Sequence, residues 1–202
     1  MPDLYDLPIK TRFEHLHKVL SSRRFLQMQG LNNEIPFFIF PYKPQEQVEI
    51  EKMGKHLINK LGETGIIVLK VNLYDLAIEI MKKKQIWDVF INHEEEFSKQ
   101  ELLEDLQGSL NPENNIIPAI EEKVKESQFD ILFITGVGEV FPYIRSHTIL
   151  NNLQSKVKDR PTLMWFPGKY TYSDKDGSSL DLFGILHDDR YYRAFNILEY
   201  QL

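Results

Sequence analysis

The segment Phe133 to His147, FITGVGEVFPYIRSH, runs from an apolar stretch through two glycines to a basic pair, Arg145 and His147. In an α/β protein such a junction is where phosphates are held, because glycine lets the backbone approach and a helix start offers free N–H groups. Thr135, Gly136, Gly138, Glu139, Arg145, His147 and Asn151, with Lys169 after a later apolar run, are the residues that would build such a site. The dinucleotide fingerprint G-x-G-x-x-G begun at Gly136 fails at its sixth place, where Phe141 blocks close helix–strand packing. The glycines therefore read first as a tight turn and second as a phosphate cradle. Arg145 reads first as an ion-pair partner of Glu139, and Asn151 and Asn152 as satisfying loop backbone.

Other chemistries find less support. The first apolar run is followed by PYKPQEQ, without the glycines or Lys-Ser/Thr pair of a P-loop, and PGKY places Tyr170 where a magnesium-binding hydroxyl belongs. Aligning Asp174, Asp176 and Gly177 with a calcium loop leaves Tyr172 and Phe183 at the first and twelfth ligand places. His15 and His17 point apart on a helix, and the chain has no cysteine. Asp75 and Glu139 could meet at strand ends around a hard cation, but helix capping explains both more simply. No catalytic residue, cofactor or metal site is expected. Arg190, Tyr192 and Arg193 in DDRYYRAF form the mixture used by protein interfaces and by single-stranded nucleic acid binders alike.

These residues are placed by alternating elements. Helices are expected over 10–27, 44–61, 73–84 (capped by Asn72) and 112–127, with a Ser98–Glu101 capping box opening a short helix that ends near Gly108. EIPFFIFPY, GIIVLKVN, FDILFIT and PTLMWFP are short apolar runs of the kind buried on both faces of a sheet. A helix from Pro142 to Lys158, an edge strand at LDLFGIL and a closing helix over DDRYYRAFNILEY complete the pattern. The fold class is α/β: a mostly parallel sheet of about four or five strands with helices on both faces, a Rossmann-like or RecA-like outline lacking a P-loop, plus an N-terminal helix. Residues 1–202 are expected to form one domain, with 1–29 packed on it as a helical segment.

With 202 residues and a net charge of −6, the chain is acidic enough to argue against broad coating of nucleic acid. The first residues lack a signal peptide, and no apolar run is long enough to cross a bilayer. A soluble, acidic, cytoplasmic domain without a membrane association is the expectation.

GLNNEIPFFIFPY, VNLYDL, LQGSLNPENNIIPAI, TGVGEVFPYIRSHTILNNLQSKVKDRPTLMWFPGKY and LFGILHDDRYYRAF, in that order, resemble the BrxB family of bacteriophage exclusion (BREX) systems. The resemblance spans Gly30 to Ile197. It implies antiphage defence beside DNA-methylating machinery, with the alkaline-phosphatase-like PglZ component as partner and the system's ATPase and methyltransferase as further ones. It brings no catalytic residues with it. A non-catalytic adaptor is therefore the expected function, docking through Arg190 to Phe195 or the Arg145 to Asn152 helix. The alternatives are a sensor holding a nucleotide or other phosphate ligand at the strand ends, and DNA contact, weak at most, through a local basic patch. A homodimer is left open.

Overall fold

The computed structural model describes residues 3–29, 36–173, 177–186 and 194–202. Four short apolar runs form parallel strands: β1 (Phe37–Tyr42), β2 (Val68–Asn72), β3 (Ile131–Thr135) and the first half of β4 (Thr162–Ser173). β5 (Gly177–Leu182) folds back antiparallel on the second half of β4, and β6 (Phe195–Asn196) adds two parallel residues beside β1. The order is β2-β3-β4-β1-β6, with β5 off this path. The α/β class stands, with six strands among the described residues.

The helices are α1 (Ile9–Leu20), α2 (Arg23–Leu26), α3 (Gln47–Glu63), α4 (Leu73–Lys83), α5 (Trp87–His93), α6 (Lys99–Ser109), α7 (Ile117–Glu126) and α8 (Ser146–Leu153). The step from β1 to β2 crosses the sheet one way, and β2 to β3 to β4 returns the other way. Right-handed crossovers then put α3 on one face and α4, α7 and α8 on the opposite one. Strand alternation divides the side chains to match. Phe38, Phe40, Tyr42, Ile131, Phe133, Leu163 and Trp165 join α1 and α3 in one core, whereas Phe37, Ile39, Val71, Leu132, Ile134, Met164 and Phe166 join α4, α7 and α8 in the other. The N-terminal segment is held by Phe13, Leu16, Val19 and Leu20, buried in the first core. Arg12 is buried beside them, 1% exposed, and pairs with Glu46 at 2.6 Å.

Several elements differ from expectation. The helix over 10–27 breaks in two because the Ser22 side chain leaves the helix, accepts from Phe25 N at 3.2 Å and caps α2. The helix expected from Pro142 starts at Ser146: Arg145 is extended (φ −97°, ψ 135°), and the preceding turns bury Val137, Val140 and Ile144 instead. The fourth strand does not stop at Pro167 but continues to Ser173, where β5 supplies its hydrogen-bond partner. The closing helix over DDRYYRAFNILEY is not formed across 194–199; its residues 188–193 lie outside those described. Phe195 and Asn196 satisfy the free edge of β1, and the Asn196 side chain then accepts from Leu198 N at 3.1 Å, opening a 3-10 turn. Pairing a sheet edge outweighs local helical pattern here.

Candidate ligand cavity at the strand ends

Asn72 ends β2 and starts α4, where its Oδ1 accepts from Tyr74 N at 2.8 Å and Asp75 N at 3.1 Å. β3 ends next to it, and there the chain turns through Gly136 at φ +75°. A Cβ on Gly136 would stand 2.5 Å from Asn72 Oδ1, so the glycine serves both the turn and the neighbouring cap. Gly138 allows the close approach of Pro167 and Phe183. Both glycines are thus accounted for by packing.

Between these strand ends and α3 lies a cavity of about 220 Å³. Its floor is Phe133 and Trp165, its α3 wall Ile50, Gly54 and Ile58, and its polar lining includes Tyr42, Gln47, Glu51, Lys55, Lys70, Asn72, Thr135 and Glu139. Gly54 shapes it: a Cβ there would lie 2.6 Å from Trp165 Cη2, so the indole lies against bare helix backbone. Tyr42 Oη donates to Gln47 Oε1 at 2.5 Å. Thr135 Oγ1 and Trp165 Nε1 are buried without a hydrogen-bond partner, which is uncommon for interior polar atoms.

Glu139 stands at the mouth, and burial raises its carboxyl above the ordinary range; the charges of Glu51 and Asp75 push the same way, against Lys70 and a hydrogen bond with Asn72. Burial also holds the Tyr42 phenol well above its ordinary range, helped by Glu139 and Glu51. This set can donate and accept hydrogen bonds and keep a proton on Glu139 above the usual carboxylate range. It does not present an aligned nucleophile, because the Thr135 hydroxyl has no base bonded to it. Among the described residues no group of three or more His, Asp or Glu is placed to hold a metal ion.

Of the described residues singled out from the sequence as site candidates, the cavity gathers Thr135, Gly136 and Glu139 but not Gly138, Arg145, His147, Asn151 or Lys169. Arg145 is exposed, its guanidinium 5.9 Å from the centroid of the Phe141 ring, and it forms no ion pair with Glu139. His147 is buried on α8 and Asn151 is exposed, so the two separate. Lys169 lies 6.0 Å from the Tyr5 ring, which packs on the α3 side of the sheet, while Phe141 packs on the other. Arg145 and Lys169 therefore do not share an anion. Arg190, Tyr192 and Arg193 lie outside the described residues. The lining residues Lys70 and Trp165 were missed, although two signals pointed at this space. Lys70 interrupts an apolar strand, and Gly54 sits inside a helix, where glycine marks close approach.

The family model for "BREX protein BrxB" matches residues 69–197, which contain β2 but for Val68 and all of β3 and β4, with their share of the cavity. The chain belongs to the BrxB family. The BREX protein BrxB of Bacillus cereus (strain H3081.97) is 34% identical over 195 residues, covering 95% of this chain and 98% of that protein. The BrxB of Escherichia coli O9:H4 (strain HS) is 28% identical over 195 residues, covering 96% and 94%. These likenesses extend past the matched segment to the β1 and α3 side, so the BrxB family spans both walls of the cavity. No solved structure matches the chain.

Proposed function

We propose that the chain is a non-catalytic adaptor of a BREX antiphage system in the bacterial cytoplasm, and that it docks the phosphatase-like PglZ component. Family membership supports the pathway. The observation that carries the docking role is an apolar tip after β5. Ile185 is 80% exposed there, flanked by Phe183 and Leu186, which are also exposed. Phe183 stacks edge-on against Phe141, whose ring carries Arg145, so the tip and the start of α8 form one continuous aromatic and basic surface. Large exposed apolar side chains rimmed by a guanidinium are common interface anchors. No described helix is long and apolar enough to cross a membrane.

The test is co-elution of the purified chain with its PglZ-like partner, with mass read by light scattering. Wild type is expected to co-elute, and Ile185→Asp to elute alone with an unchanged circular dichroism spectrum. Co-elution of Ile185→Asp at wild-type affinity would remove this surface from the reading.

A second reading is favoured by the unpartnered Thr135 hydroxyl beside the cavity. Its lining sets Glu51 and Glu139 against Lys55 and Lys70, a charge balance that suits a small neutral or zwitterionic molecule offering hydrogen bonds better than a polyphosphate. Thermal melting against a library of such molecules, with ATP as the contrasting anion, tests it. A rise with ATP that Glu139→Gln enlarges would instead support the phosphate-sensor alternative.

A further inference from the structure

The segment 87–109 differs in construction from the remainder of the described chain. It comprises α5, a 3-10 turn at Glu94–Glu96, and α6, and none of the three buries a residue fully. One side leans on the core through Trp87, Phe90 and Leu106. Away from that contact, Val89 is 50% and Ile91 54% exposed, and Leu102 and Leu103 are only half-buried. The arm is nevertheless held in shape by local devices. Ser98 Oγ accepts from Glu101 N at 3.2 Å while Glu101 Oε2 accepts from Ser98 N at 2.9 Å, and Gln100 bonds Glu104 at 2.6 Å. An ordered helical pair with apolar side chains turned to water is an unpartnered face.

Charge indicates what would cover it. The arm carries Asp88, Glu94, Glu95, Glu96, Glu101, Glu104 and Asp105, all exposed, against the one lysine, Lys99. Its net charge is thus −6, the value for the whole chain; removing these residues from the chain's 30 acidic and 24 basic ones leaves 23 of each. Elsewhere several surface carboxylates pair with lysines: Glu79 with Lys123, Glu122 with Lys83, and Glu121 with Lys125 and Lys156. On the arm, among the described residues, the carboxylates pair with no lysine or arginine, and the one ion-pair partner is a histidine, His93, 3.0 Å from Glu96.

We propose that residues 87–109 are a docking surface for a basic segment of another protein that carries apolar side chains among its lysines or arginines. Such a segment meets the unmatched carboxylates and covers Val89, Ile91, Leu102 and Leu103 together. A nucleic acid would meet only repulsion there. The arm abuts the aromatic surface of the tip at Gln107, whose Nε2 donates to Pro142 O at 3.5 Å beside Phe141, so an adaptor built this way engages two adjoining parts of one partner, or two partners side by side.

The test uses the intact chain and two synthetic helical peptides of equal charge, one alternating lysine with leucine and one alternating lysine with serine. Binding is read by fluorescence anisotropy, and the contact is mapped by hydrogen exchange. The lysine–leucine peptide is expected to bind at least about tenfold tighter than the lysine–serine one, to weaken as salt shortens the Debye length, and to protect 87–109 from exchange. Reversing charge with Glu95→Lys and Glu104→Lys, both at exposed positions, is expected to abolish that protection with an unchanged circular dichroism spectrum. Equal binding of the two peptides, protection located elsewhere, or binding of duplex DNA to the arm would each overturn the proposal. Ile185→Asp leaves this surface intact, so failure here and failure of the PglZ docking reading are told apart.

Discussion

On one side of the sheet α1 and α3 cover Phe38, Phe40, Phe133 and Trp165 with Ile131 and Leu163; on the other α4, α7 and α8 cover Ile39, Val71, Leu132, Ile134 and Met164, and the rings there are Phe37 and Phe166. The first side is tiled by rings. Phe13, Phe40 and Phe133 each meet Trp165 with centroids 5.4–5.8 Å apart, Phe13 and Phe40 edge-on. Flat, stiff groups fit by shape and direction, and they cannot flow to fill the space where strand ends spread into loops. The cavity lies on that side, floored by the same Trp165 and Phe133. Branched aliphatic chains on the second side adjust by rotamer and tolerate exchange of one for another. The contrast teaches that a binding space is placed by the stiffness of the core beneath it as well as by the loops above.

The largest expected effect on that contrast comes from Trp165→Ala, which should cost about 4 kcal/mol in urea denaturation, since it removes the ring that three others contact. A loss below about 2 kcal/mol would mean the ring face collapses as readily as the aliphatic one. Next, Gly54→Ala should destabilise by about 2 kcal/mol through overpacking against the indole. Gly62→Ala, on the same helix with open space around it, should stabilise by up to about 1 kcal/mol. Opposite signs at two glycines of one helix would isolate shape from helix propensity. Ile134→Val on the aliphatic side should cost only about 1 kcal/mol.

The smallest effect concerns the cavity mouth. Because the folded Glu139 carboxyl lies above its unfolded value, the stability it contributes is complete below the unfolded value of about 4.3 and is lost as pH rises through the folded value. Glu139→Gln should therefore melt slightly higher than wild type at pH 8 and the same at pH 4. An equal difference at both pH values would show that desolvation of the charge is not the cause.

The strands were legible because their apolar runs are short and bounded by proline and glycine. Asn72 and the Ser98–Glu101 box announced their helices by side-chain chemistry alone. Sheet order was not legible: nothing local in Phe195–Asn196 says that the edge of β1 will claim them. Half of the cavity was legible as well, since Thr135, Gly136 and Glu139 follow directly from where β3 stops. Tyr42, Lys70 and Trp165 come from three other strands and meet only through register. Arg145 and Lys169 looked like one site from their positions after neighbouring strands, but side-chain alternation sends them to different faces.

The segment 87–109 also bears on how the molecule turns before it touches anything. With the rest of the chain electrically balanced, an outside field pulls at one end only and exerts a torque about the neutral body. Within about 8–10 Å of a polyanion such as DNA, at physiological salt, that torque swings α5 and α6 outward. A chain nearing such a polyanion would turn its neutral body toward it and its helical pair to the solvent, the side offered to the basic segment proposed above.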